Sequence, residues 1–216
     1  MIRAVLFDMD GVLTDTERSG CQMMRTALAR QGYSITEDQF ISLVGTSMEE
    51  TNRRLLEWLP GVSTDQFATD WKDATFEYVH TYGVPVKPHA AEVLDQLRAE
   101  GYLLGLCTNN VKSVVMEYLT LLGWEHKFDT IITAEMVQRR KPDPDTYLAA
   151  ARALQCAPDE CAGVEDSPSG LLAVAAAGMY CVRIPDLIDT SHVPASSIHL
   201  TLDTLAQLPD ALRRQS

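Results

Sequence analysis

At 216 residues the chain is long enough to bury a substantial core, as one domain or as one domain carrying an insert. Hydrophobic residues make up 46% and charged residues 22%, the balance of an ordinary globular protein. A formal net charge of −12 argues against nucleic-acid or anionic-membrane partners, which need a basic face, but leaves room for an anionic substrate where a metal or a few cations reverse the local field.

The first predicted element is a buried strand, "AVLF" at 4–7, followed by Asp8 and Asp10 at alternate positions and by Gly11, which permits a sharp turn. Residues 17–83 then read as helical throughout. Cys21, Met24 and Leu28 keep helical spacing until Gly32, Thr36 with Gln39 and Ser47 with Glu50 fit capping boxes, and Pro60-Gly61 marks a turn. Phe67, Trp71, Ala74 and Tyr78 stripe a longer helix that ends near Gly83. Four helices with no strand between them predict a small bundle inserted over residues 15–85.

From residue 86 strands and helices alternate. Helices are expected at 90–99, 111–122, from about 144 to 154, and over 169–178, and strands at 102–108, 128–133, 161–166 and 179–184. This alternation predicts an α/β fold: a doubly wound, mostly parallel, Rossmann-like sheet built from 1–14 and 86–216. Five scattered cysteines (21, 107, 156, 161, 181) without a CxxC pair read as free thiols in a reducing cytoplasm. The acids at 8 and 10 interrupt any signal-peptide core, and no apolar run approaches the ~20 residues of a membrane span. Nothing in the sequence calls for a dimer, so a cytoplasmic monomer is the expectation.

Ligands of open parallel sheets bind beyond the carboxyl ends of the strands, so the residues that follow each apolar run are informative. These are Asp8 and Asp10; Thr108, Asn109 and Asn110; "RRKPDP" with Lys141; and Glu165 with Asp166. Such a carboxylate cluster repels itself unless a cation sits among the oxygens. Oxygen-only donors favour a hard ion, the five histidines show no ligand spacing, and Mg²⁺ is the expected cofactor. Mg²⁺ beside a lysine and a threonine forms a phosphate site. Taken singly, Thr108 fits a helix cap, Lys141 a solvated loop, and Glu165-Asp166 the start of the next helix. Jointly they point to phosphoryl transfer.

"DMDGVLTDT", "LCTNN", "KPDP" and "GVEDSPSG", in this order, resemble the four motifs of the haloacid dehalogenase-like hydrolase superfamily. The helical insert is similar to the α-helical cap of the subgroup holding sugar-phosphate phosphatases and beta-phosphoglucomutase. The resemblance implies a phosphatase acting on a small phosphorylated metabolite, with Asp8 as nucleophile and Asp10 as general acid and then base. It further implies that Thr108, Asn109 and Lys141 hold the phosphoryl group, and that Asp8, the Asp10 carbonyl, Glu165 and Asp166 hold Mg²⁺.

Two positions depart from the mutase pattern. Gly20 stands where mutases usually have His, and Met48, after the "GTS" turn, stands where they carry an Arg that grips a second phosphate. Simple hydrolysis is therefore expected, with a sugar phosphomutase as the alternative and a non-catalytic phosphate-binding regulator as a further one. A dehalogenase has no need of Asp10 or of the Glu165-Asp166 pair. His89 occupies the usual Gly of a "PxPG" turn.

Overall fold

A computed structural model describes residues 1–216 apart from Gly45, Ser47 and Ser216. The described chain divides into two compact units, Met1–Asp15 with Val86–Ser216, and Thr16–Pro85.

The larger unit is a six-stranded sheet. Its strands are β1 (Ala4–Phe7), β2 (Leu103–Cys107), β3 (Thr130–Ile132), β4 (Cys161–Glu165), β5 (Tyr180–Arg183) and β6 (Leu200–Thr201). They lie in the order β3-β2-β1-β4-β5-β6, and every neighbouring pair is parallel. The chain runs outward from β1 on one side through β2 and β3, then crosses back to β4. The sheet's topological switch point thus falls between β1 and β4, whose carboxyl ends lie side by side. This is the doubly wound Rossmann-like arrangement that the alternating pattern predicts.

Central strands of such a sheet are covered on both faces, and all four residues of β1 are fully buried. Glycines flank its middle. Leu6 is in register with Gly105 on β2 and with Gly163 on β4. A Cβ on Gly105 would stand 2.6 Å from Leu6 Cδ2, and one on Gly163 would stand 2.5 Å from Val174 Cγ2. The two missing side chains therefore make the room into which Leu6 and Val174 pack.

The remaining helices of this unit lie close to their expected bounds: α5 (Ala90–Ala99), α6 (Lys112–Leu122), α7 (Asp145–Ala153) and α8 (Pro168–Ala176), numbered after the four helices of the other unit. Ser167 caps α8 by accepting from Gly170 N at 3.1 Å, and Pro168 supplies the preset first turn. His89 precedes α5 at φ +66°, a conformation that glycine adopts freely and other residues rarely do. β6 and a closing helix α9 (Leu208–Arg213) are not foreseen from the sequence. A two-residue strand shows no alternation. Its place is set by β5, where His199 N donates to Cys181 O at 2.9 Å and Leu202 N to Arg183 O at 2.9 Å.

The Thr16–Pro85 unit consists of α1 (Thr16–Ala29), α2 (Glu37–Leu43), α3 (Met48–Trp58) and α4 (Thr64–Tyr82). Met24, Leu28, Phe40, Leu55 and Phe67 are among the residues that form its apolar core. Thr36 and Gln39 make the reciprocal capping box, at 3.1 and 2.9 Å, while the expected Ser47 cap lies outside the described residues. Position 20 faces Phe40: a Cβ there would stand 3.0 Å from the ring, so glycine lets α1 and α2 close together.

No described helix is long and apolar enough to cross a membrane. All five cysteines are free, and all but Cys21 are buried.

Gly163→Ala should overpack the β4–α8 contact and destabilise the protein by about 1–3 kcal/mol. At roughly 2–4 °C per kcal/mol for a chain of this size, thermal denaturation checks it. An unchanged melting temperature would show that Val174 moves aside without strain.

Candidate active site

Every sequence-predicted site residue lies at the carboxyl edge of the sheet or in a loop that reaches it. Asp8 is the first residue beyond β1, and its N–H donates to Val164 O on β4 at 3.0 Å, which extends the ladder by one step. The chain then folds back tightly. Leu13 N and Thr14 N both donate to Met9 O at 2.9 Å, and Gly11 N donates to Thr14 O at 2.8 Å. Gly11 makes this turn at φ +76°, and a Cβ there would stand 2.2 Å from Asp166 Oδ2. Both the backbone conformation and the approach of Asp166 require glycine.

Lys141 ties the cluster together. Its ammonium donates to Asp8 Oδ1 at 2.7 Å, to Glu165 Oε1 at 2.6 Å and to Cys107 O at 2.7 Å. A lysine has three N–H donors, and each has an acceptor here. Asn109 fixes the lysine from behind, accepting from Lys141 N through Oδ1 at 3.2 Å and donating to Lys141 O through Nδ2 at 3.4 Å.

Glu165 is fully buried at the end of β4. Its Oε1 accepts from Lys141 and from the Tyr147 hydroxyl at 2.7 Å. Its Oε2 accepts from Asp166 N at 3.3 Å and from Ser167 Oγ at 3.2 Å. The carboxylate also fills the space above Gly170, where a Cβ would stand only 1.8 Å from it. The four acceptor positions of this carboxylate all face protein donors.

Asp10 and Thr108 are both bonded to Asn110. Asn110 Nδ2 donates to Asp10 Oδ2 at 2.5 Å, and Asn110 N donates to Thr108 Oγ1 at 3.0 Å. One asparagine thus fixes the loop after β2 against the loop after β1. Tyr147 and Asn110 are the contacts that sequence reasoning misses. A tyrosine three residues into a helix reads as core, and only its hydroxyl distinguishes it.

The electrostatics follow from this crowding. Burial, reinforced by Glu165, pushes the Asp8 carboxyl up to about 7, against the pull of Lys141. Burial alone would lower Lys141, but Asp8 and Glu165 outweigh it and hold the ammonium above the ordinary lysine value. Lys141 thus offsets only part of what burial and Glu165 do to Asp8, and a further cation would offset the rest. Asp8, Glu165 and Asp166 each offer a carboxylate oxygen within 4.8 Å of one another, a hard, all-oxygen donor set that fits a divalent metal.

A doubly wound sheet with a lysine-bridged carboxylate cluster at its switch point places this chain among α/β proteins with a charged candidate site beyond β1 and β4. Comparison with known proteins carries this further. The profile of the haloacid dehalogenase-like hydrolases matches residues 5–184, and the chain belongs to that family. The chain is 31% identical over 180 residues to a phosphorylated carbohydrates phosphatase of Thermotoga maritima, with 82% of each chain covered. It is 28% identical over 211 residues to hexitol phosphatase A of Escherichia coli, covering 95% of this chain and 93% of that relative. The solved structure of a beta-phosphoglucomutase from Clostridium difficile matches with a TM-score of 0.81 at 26% identity, covering 100% of this chain and 96% of that one.

Gly11→Ala should strain the turn and displace Asp166, weakening divalent-metal binding roughly 10–100-fold. Titration calorimetry of the metal into wild-type and variant protein measures this. Equal affinities would mean that the Asp8–Asp166 approach is not the metal site.

Proposed function

We propose that the protein is a Mg²⁺-dependent phosphatase that hydrolyses a small phosphomonoester, such as a sugar phosphate, through an aspartyl-phosphate on Asp8. The observation that carries this reading is the sharing of Lys141 between Asp8 and Glu165 beside Asp166, at the switch point of the sheet. Membership of a hydrolase family with sugar-phosphate phosphatases among the relatives supports it.

In this reading an Asp8 carboxylate oxygen attacks phosphorus as the bond to the leaving alkoxide breaks. Lys141 is bonded to Asp8 Oδ1 and directs the other oxygen of Asp8 to the phosphoryl group. Asp10, held by Asn110, gives its proton to the alkoxide and later takes one from the water that hydrolyses the aspartyl-phosphate. The Thr108 hydroxyl oxygen accepts from Asn110 N, which leaves its O–H to donate to a phosphoryl oxygen. Since the Asn109 side chain is occupied with the Lys141 peptide, we assign phosphate contact to the Asn109 backbone N–H. Lys141 acts through its charge, because its three protons already have partners.

Asp8, the Asp10 carbonyl and Asp166 would hold Mg²⁺, and Glu165 would serve it mainly by anchoring Lys141, given its four donors. When bound, the ion supplies positive charge that keeps Asp8 ionised and offsets the charge of the phosphoryl group.

We assign the inserted helical unit the role of substrate-selecting cap, and a monomeric, cytoplasmic setting to the whole chain. Four buried free thiols are consistent with a reducing compartment. Against a mutase, position 20 packs beneath Phe40 and Met48 brings no cation for a second phosphate. A non-catalytic regulator would have no use for the Asn110–Asp10 contact.

The test is phosphate release from a panel of sugar phosphates and p-nitrophenyl phosphate. Turnover should vanish with EDTA, return with Mg²⁺ and not with Ca²⁺, whose looser coordination misplaces Asp8. Asp8→Asn should lower turnover by roughly 10³-fold or more with unchanged melting. Phosphate release in metal-free buffer, or a fully active Asp8→Asn protein, would refute the reading.

A further inference from the structure

The proposed chemistry leaves one polar group of the site without a task. Tyr147, the third residue of α7, is fully buried, and its neighbours in the core include Ala150, Ala151, Leu171 and Val174. A hydroxyl taken out of water needs a partner, and this one donates to Glu165 Oε1 at 2.7 Å. The tyrosine ring also lies under the lysine, 5.0 Å from Lys141 Nζ to the ring centroid.

We propose that Tyr147 is a positioning residue for phosphoryl transfer: its hydroxyl fixes Glu165 so that Lys141 stays shared between Glu165 and Asp8, and so aims the attacking carboxylate. This rests on the assignment of Asp8 as nucleophile. The geometry that carries it is a closed set of donors and acceptors. Lys141 has three N–H groups and three acceptors, and Glu165 has four acceptor positions and four donors.

In a closed set, the removal of one member redistributes the rest. Glu165 Oε1 receives two donors, the ammonium at 2.6 Å and the phenol at 2.7 Å. Without the phenol, that oxygen has only Lys141 to compensate its buried charge. It draws the ammonium toward itself and away from Asp8, at present 2.7 Å distant. The carboxylate then loses the contact that orients it. Burial, with Glu165 and Asp8 nearby, also keeps the Tyr147 hydroxyl well above its ordinary pKa, so it remains a donor throughout.

Because Tyr147 touches neither Asp10 nor Thr108 in this network, substrate binding is left alone and the chemical step is not. Tyr147→Phe in the full-length protein should therefore lower kcat for p-nitrophenyl phosphate by about 10–100-fold, with KM within about twofold of wild type. Incorporation of 4-fluorophenylalanine at 147 fills the volume of the hydroxyl without donating, and should show the same loss if the plain Phe variant fails to fold. Incorporation of 3-fluorotyrosine, which keeps the O–H, should restore kcat to within about threefold of wild type. In ¹⁵N-lysine-labelled protein, the Lys141 ammonium resonance should shift in the two variants that lack the hydroxyl and stay in place with 3-fluorotyrosine.

Were Tyr147 merely a core residue, its loss would lower the melting temperature and leave kcat per folded molecule within about twofold, and that result overturns the proposal. A wild-type protein inert toward every phosphomonoester would sink the phosphatase reading instead. The ammonium resonance then decides the positioning on its own: a shift supports it, and superimposable spectra overturn it.

Discussion

A single buried ammonium holds this site together. Lys141 lies 133 residues along the chain from Asp8 and 24 from Glu165, yet it bonds both carboxylates at under 3 Å. Three acids gathered in a water-poor crevice repel one another, and without a counter-charge they would take up protons or move apart. Removing the lysine would cost about 3–5 kcal/mol, because the buried carboxylates left behind would be uncompensated. The loop that carries Lys141 is thereby tied to Asp8, Cys107 and Glu165. Asn109 adds to this by gripping the same residue through its backbone.

The sheet prepares the place for that lysine. Parallel strands β1 and β4 end side by side, so the residues at and just beyond their ends, Asp8 and Glu165-Asp166, meet without long excursions. Glycines make the approach close enough. Gly11 admits Asp166, Gly170 admits the Glu165 carboxylate, Gly105 admits Leu6 of β1, and Gly163 admits Val174 of α8. Even so, one lysine leaves Asp8 near 7, with burial the largest cause. A divalent cation held by Asp8 and Asp166 would supply the remaining compensation, so charge balance and the proposed chemistry would be one requirement.

Much of this was legible in the sequence. The runs at 4–7, 103–107 and 161–164 are continuous and apolar, so their strands and the polar residues after them could be placed. Asp8, Asp10, Thr108, Lys141, Glu165 and Asp166 were legible for the same reason, since each follows a strand end or breaks regular structure at a proline. What could not be read depends on tertiary distance. Nothing local tells that the Asn109 side chain turns to Lys141, that Asn110 reaches Asp10, or that the Tyr147 hydroxyl ends on Glu165. Gly20 stands where mutases usually have His, and what the sequence does not tell is that its small size also lets Phe40 approach α1. β6 exists because β5 offers it hydrogen bonds, and its two residues carry no pattern of their own.

In the proposed reaction the lysine-held carboxylate at position 8 is the group that takes the phosphoryl from substrate. Borohydride reduction of the protein, quenched during Mg²⁺-supported turnover of a small phosphomonoester, converts an aspartyl-phosphate to homoserine. Peptide mass spectrometry then locates the change. Homoserine is expected at position 8, with unmodified Asp at positions 10 and 166. Reduction at another aspartate, or turnover with none, would contradict it.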